Sequence, residues 1–239
     1  MSLVDLRTRK TSRGTVVLYH GSSCMDIEKF DIQYSRDYLD FGVGMYFTTN
    51  REQAMLWSIT KSRFGAVYEV EIDLDQVDLK QFLRYDNEFI NTFCLCRAGF
   101  EPDANAIKGY NAIYGYMIDN DRAAIVKSTN DYVIGKATEA EVRNSIRVFE
   151  SKDQLCIKEQ WILDQMQIKW KGITEKVDGF PRGDRRSVKW KNRFFKRCNR
   201  SKGSNHGRDY DAYFRLFLFR CLLHYCRFRH IPSYARASL

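Results

Sequence analysis

A chain of 239 residues with 44% hydrophobic content can build one medium domain, alone or with an appendage. Its 14% aromatic content favours mixed or β-rich packing over a helical bundle. The start, Met1-Ser2-Leu3-Val4-Asp5, lacks a signal-peptide core, and no uninterrupted apolar stretch reaches the roughly 18 residues of a spanning helix. A soluble, cytoplasmic protein without membrane contact is the expectation.

The net charge of +9 is unevenly spread. From residue 173 onward there are 17 Lys+Arg against 5 Asp+Glu, a net of +12, and the preceding residues carry a net of −3. Any preference for anionic partners therefore belongs to the tail. The seven cysteines follow no framework spacing. Cys198, His206, Cys221 and Cys226 match no usual zinc pattern, so reduced thiols and no metal are expected.

In chain order, residues 1–14 read as a flexible polar lead-in. Residues 15–19 are short, apolar and β-branched, which predicts a buried strand. Residues 22–40 suggest a short helix and loop. A short strand follows over 45–48. Asn50 is a candidate N-cap for a helix over 51–62, with Trp57 assigned to the core. Residues 66–72 alternate strictly and predict a half-exposed strand. A helix is expected over 79–96, an apolar strand over 112–118, and turn or cap roles for Asp119 and Asp121. Residues 138–146 predict a helix, 154–157 a strand and 159–166 a helical turn. With no βαβ repeat, the order favours α+β over a doubly wound sheet. Composition divides the chain into a lead-in over 1–14, a domain over 15–172 and a basic, aromatic extension over 173–239.

Two segments carry the chemistry. Val16, Val17, Leu18 and Tyr19 lead into His20, Gly21 and Ser22, and His20 is the sole histidine of the first 205 residues. About twenty residues later come Asp40, Phe41, Gly42, Val43, Gly44, Met45, Tyr46 and Phe47. A histidine after a strand is ordinarily structural, and Gly-x-Gly-x-Tyr-Phe ordinarily makes a turn. Their order and separation are what mark them.

Together these segments resemble the ADP-ribosyltransferase superfamily, on its poly(ADP-ribose)-polymerase-like side. The run from Val16 to Trp57 is similar to an uncharacterised bacterial family within it, often associated with toxin–antitoxin or phage-defence loci. Arg36, Asp40-Phe41-Gly42-x-Gly44 and Gln53-Ala54-x-x-Trp57 fit that family, as Asn111–Gly115 and Asp119–Arg122 do more loosely. The superfamily's third motif is a glutamate opening a late strand. Its counterpart here is Gln154, within Asp153-Gln154-Leu155-Cys156-Ile157.

The resemblance covers about 15–170. It implies an α+β split-sheet core and a catalytic triad of His20, Tyr46 and Gln154. It further implies NAD contacts from Gly21, Ser22, Arg36, Gly44, Phe47 and Thr48. The implied activity is mono-ADP-ribosyl transfer from NAD to a protein or nucleic-acid acceptor, with no metal, by a toxin or defence effector held in check by an antitoxin. Tyr46 would stack on nicotinamide, Gly21 would meet its carboxamide, and His20 would bond the adenosine-side ribose. Glu69, Glu71 and Glu159 are alternative carboxylates.

A different class stays open: a non-catalytic nucleotide- or nucleic-acid-binding module working through residues 173–239, where Arg and Lys interleave with Trp190, Phe194 and Phe195. Plain NAD hydrolysis is a third reading.

Overall fold

The computed structural model describes residues 3–101, 104–118, 122–146, 148–180 and 184–191. The fold is α+β, built on mostly antiparallel, curled sheet with a few helices. The basic tail beyond 191, and Asp119 and Asp121, lie outside the described residues.

Among the described residues, eight strands form two sheets. In the first, β1 (Val16–Ser22) pairs with β3 (Phe64–Ile72), then come β7 (Gln167–Lys176) and β8 (Val188–Lys191). In the second, β2 (Met45–Phe47) pairs with β6 (Val148–Ile157), followed by β5 (Ala112–Ile118) and β4 (Leu79–Gln81). All pairings are antiparallel except β4 with β5.

The two-residue alternation of each strand decides what it buries. Leu18, Tyr68 and Val70 from the first sheet share one apolar cluster with Phe47, Tyr114 and Leu155 from the second. Removing each such side chain from water stabilises the fold by about 1.5–3 kcal/mol. The alternate residues of the second sheet, Ile113 and Cys156, join a second cluster with Phe89, Ile90 and Phe93 of α2 (Asn87–Ala98) and Ile125 of α3 (Arg122–Val133). Val142 of α4 (Glu139–Ser145) completes it.

Helix α1 (Arg51–Ser58) packs on β1 and β3. Asn50 caps it, its side chain accepting from the Gln53 N–H at 3.1 Å. The helix ends at Ser58, four residues earlier than the sequence suggests, where the Ser58 hydroxyl bonds Met55 O and Thr174 Oγ1. The approach is so close that two strand positions must be glycine. A Cβ on Gly21 would lie 1.9 Å from Ala54 O, and one on Gly65 2.3 Å from Ser58 O.

Several expectations need correction. Residues 79–96 are not one helix: Leu79–Gln81 is strand β4, and α2 begins after Asp86, whose side chain accepts from Phe89 N–H at 3.0 Å. Apolar spacing alone does not separate a three-residue strand from the helix that follows. Residues 22–40 hold only a 3₁₀ turn, Ile32–Tyr34. The strand at 154–157 begins earlier, at Val148. The compositional shift at 172/173 falls inside β7, whose Lys and Trp alternation disguises a strand. Among the described residues no helix is long and apolar enough to cross a membrane.

Candidate active site

The two sheets touch at one edge, where β1 and β2 meet in an isolated bridge. Tyr19 N–H donates to Thr48 O at 2.8 Å, and Thr48 N–H donates to Tyr19 O at 2.9 Å. In an antiparallel ladder the next such exchange falls between Gly21 and Tyr46. There the ladder gives way to a side chain: His20 Nδ1 lies 2.7 Å from Tyr46 O. A carbonyl oxygen only accepts, so Nδ1 carries the proton and neutral His20 keeps Nε2 as an acceptor. Burial pushes the His20 pKa down, which favours that neutral form; the bond to Tyr46 O opposes the shift less strongly. Phe30 and Phe47 pack on the imidazole at ring separations of 5.3 and 5.6 Å and fix its plane.

A cavity of about 180 Å³ opens at this split. Its walls bring together His20 and Gly21 from β1, Tyr46 and Phe47 from β2, Arg36 from the preceding loop and Gln154 from β6. Thr48 also lines it, although its hydroxyl is committed to Asp153 Oδ1 at 2.6 Å. By strand alternation, Gly21 turns its N–H and C=O to the same side as those of Tyr19, past the point where pairing with β2 has ended. The Tyr46 hydroxyl accepts from Phe41 N–H and donates to Gly42 O, both at 2.9 Å. Those bonds pin the ring, and burial, aided by nearby Cys156 and Asp40, raises its pKa well above the phenol value. Tyr46 is therefore a positioned ring rather than an acid–base group at neutral pH.

Two expected contacts lie elsewhere. Ser22 is not in the cavity wall; its Oγ accepts from Cys24 N–H at 3.1 Å. Gly44 also lies outside the wall, with its N–H and C=O both engaged by Ser35 Oγ at 2.8 Å. Gly44 has a packing reason to be glycine, since a Cβ would lie 2.3 Å from Cys156 Sγ. Gly21 likewise owes its missing Cβ to helix α1. Trp57, assigned to the core, is 39% exposed and lines the cavity.

Adjacent residues of β6 point to opposite sides and do different work. Asp153 accepts from Thr48 Oγ1, Thr49 N–H and Tyr114 OH at 2.6, 2.9 and 2.9 Å, and from the Thr49 hydroxyl. Its carboxyl is taken up by these neighbours and holds the strands together. Gln154 faces the cavity, and its Nε2 donates to Asp40 Oδ2 at 2.7 Å and Tyr116 O at 2.8 Å. Of the alternative carboxylates, Glu71 pairs with Arg13 at 2.6 Å, and Glu69, a neighbour of Tyr19, is not in the wall; nor is Glu159.

Of the cavity-lining residues to which the sequence assigns no site role, four bear on its chemistry. Among the described residues Asp40 is the only acid in the wall, and it is held by Arg97, whose Nε and Nη2 reach Oδ1 at 2.6 and 2.5 Å. Asp40 lies inside a motif, but nothing local ties Arg97 to it across 57 positions. Gln53, 4% exposed, donates from Nε2 to Asp153 O at 2.7 Å, and its Oε1 is a buried acceptor with no partner among the described residues. Trp57 is the fourth. With Arg36 and Arg97 against Asp40, the described residues of the wall have a positive balance.

Buried Cys94, Cys96 and Cys156 are free thiols, and burial pushes the pKa of each up to about 12. None is primed as a nucleophile. Cys198, His206, Cys221 and Cys226 lie outside the described residues.

The chain matches, over residues 16–168, the model of a family described as a protein of unknown function (DUF3990), and it belongs to that family. That span runs from the start of β1 into β7 and includes all the described residues of the cavity wall. No curated protein matches the chain.

Proposed function

We propose that this DUF3990 protein is an NAD-dependent mono-ADP-ribosyltransferase acting on a macromolecule, with a split-sheet core of the ADP-ribosyltransferase kind. The observation that carries this reading is the convergence of neutral His20, the Gly21 backbone, the pinned Tyr46 ring and Gln154 on one cavity at the break between two sheets.

The residues suit the nicotinamide end of NAD. The cavity is smaller than the roughly 300 Å³ at which pockets for whole drug-sized ligands begin. It therefore takes one end of a dinucleotide, with the remainder over the rim. Tyr46 offers a ring face for stacking, and Gly21 offers one donor and one acceptor to the carboxamide. His20 Nε2 accepts from a ribose hydroxyl. Arg36, which makes no ion pair with the described residues, supplies positive charge for the pyrophosphate.

Breaking the nicotinamide–ribose bond builds positive charge on the ribose, as in glycoside cleavage. Nicotinamide departs neutral, so no strong general acid is needed. Orientation and hydrogen bonding to the ribose supply the catalysis, and Gln154 Oε1 is the acceptor for a ribose hydroxyl. An amide lacks the full charge of a glutamate, which fits single transfer rather than chain growth. The biological reading is an intracellular toxin or defence effector with a protein or nucleic-acid target and a neutralising antitoxin.

The second reading, a binding module, is favoured by the pairing of Asp40 with Arg97, which compensates the one negative charge that the described residues bring to the wall. One experiment separates the readings. The full chain is incubated with cell lysate and NAD labelled in its adenylate half. A transferase labels a macromolecule, and protease or nuclease sensitivity then identifies its class. NAD consumed without labelling indicates a hydrolase; NAD left intact supports the binding module.

A further inference from the structure

Gln154 holds the position that decides the chemistry, and an amide there raises a question of orientation that a carboxylate would not. Its two ends differ: Nε2 only donates and Oε1 only accepts. Both hydrogens of Nε2 are committed, one to Asp40 Oδ2 at 2.7 Å and one to Tyr116 O at 2.8 Å. Both partners are acceptors. Turned over, the amide would set Oε1 against a carboxylate and a carbonyl at hydrogen-bond distance, with nothing to donate. The orientation is therefore dictated by the neighbours.

Asp40 is itself dictated. It is 5% exposed, and its Oδ1 takes two donors from Arg97, which also donates from Nη1 to Tyr38 O at 3.2 Å. The guanidinium supplies the counter-charge that lets a carboxylate reside in the wall, and it leaves Oδ2 for Gln154. Arg97 sits in the last turn of α2, so the chain of contacts runs from that helix through the 40–44 loop to β6.

We propose that Arg97 and Asp40 are positioning residues that lock the Gln154 amide with Oε1 toward the cavity, making it a fixed acceptor for a ligand hydroxyl. The lock follows from the hydrogen bonds; its consequence for turnover rests on the transferase reading above. It also sets a rule for substitution at this site. A glutamate at position 154 is not a gain of catalytic charge here, because it would face Asp40 as a second carboxylate. It becomes less unfavourable when residue 40 can donate, although the Tyr116 carbonyl would still face an oxygen.

The test is a cycle of Asp40→Asn, Gln154→Glu and the double variant in the full chain. Thermal midpoint without ligand is one readout; kcat and KM for nicotinamide release from NAD are the other. Gln154→Glu should lower the midpoint. Adding Asp40→Asn should raise it again, because the amide introduced at position 40 can donate to the carboxylate introduced at position 154. Asp40→Asn alone sets amide against amide, and kcat should fall roughly 10²-fold with little change in KM, as for a misplaced catalytic group. Strictly additive midpoints, or Asp40→Asn with wild-type kcat, would overturn the proposal. A measurement on the unsubstituted protein guards against variants that fail to fold. The Gln154 side-chain amide protons should exchange slowly with solvent in NMR spectra, and rapid exchange of both would also overturn it. If the wild type releases no nicotinamide, the transferase reading fails, while midpoints and exchange still decide the lock.

Discussion

Strands β1 and β2 approach each other at two neighbouring positions and end differently. At Tyr19 and Thr48 the backbones exchange both hydrogen bonds, and the join is sealed beneath by Asp153, which gathers Thr48, Thr49 and Tyr114. Two residues further along β1, where Gly21 would meet Tyr46, the His20 side chain takes the Tyr46 carbonyl and the cavity opens. At the closed position the Asp153 carboxyl is taken up by Thr48, Thr49 and Tyr114, and Tyr19 and Thr48 only border the cavity. The open one is lined by His20, Gly21 and Gln154. The same pair of strands thus supplies a structural seam and a candidate site, and substitutions should separate them.

The largest effects should fall on the open side. His20→Ala and Gln154→Ala should each lower NAD cleavage by about 10²- to 10³-fold, the usual loss for one preorganised hydrogen-bonding group, with the folded circular-dichroism spectrum kept. Full activity of Gln154→Ala would remove that residue from the chemistry. On the closed side, Asp153→Ala strands several donors at once and should cost about 3 kcal/mol of stability in chemical denaturation. Any protein that still folds should keep its NAD affinity.

Gly21→Ala tests the boundary between the two. The added methyl meets Ala54 O, so α1 must shift, at a cost of about 1–3 kcal/mol. An unchanged unfolding midpoint would contradict the packing of α1 against β1. Tyr46→Phe keeps the ring and removes the bonds to Phe41 and Gly42. It should lose about 1 kcal/mol of stability and little NAD affinity, whereas Tyr46→Ala should weaken NAD binding measurably by calorimetry.

The smallest effect is the pH dependence of His20. Burial holds its folded pKa below the ordinary value of 6.5, so in acid the unfolded chain binds the extra proton first. The stability associated with neutral His20 is fully present above about pH 6.5 and declines as pH falls below it. His20→Leu should lack that part of the slope. A slope that persists unchanged would show that His20 is not held neutral.

How far the chain can be read in advance varies with the signal each element carries. β5 is apolar throughout, and the strand 112–118 is found at those residues. A good part of the cavity wall comes from two local motifs, because His20, Gly21, Tyr46 and Phe47 sit in strands whose ends meet. β7 and β8 are hidden because their Lys and Trp alternation resembles a charged extension, although Trp170 and Trp190 stack at 4.5 Å against each other. The Arg97–Asp40–Gln154 chain is invisible for a different reason. It joins a helix end, a loop and a distant strand, and only tertiary packing brings them together. A truncation meant to isolate the basic tail belongs after Phe194 rather than at Gly172, where it would cut β7 and remove β8.

The most direct test of the central claim is nicotinamide release from NAD, measured for the wild type and His20→Ala with and without cell lysate. Release by the wild type that depends on lysate and disappears in His20→Ala is the expected result. Absence of release under every condition, or equal release by the two proteins, would contradict the claim that the cavity at the break between β1 and β2 cleaves NAD.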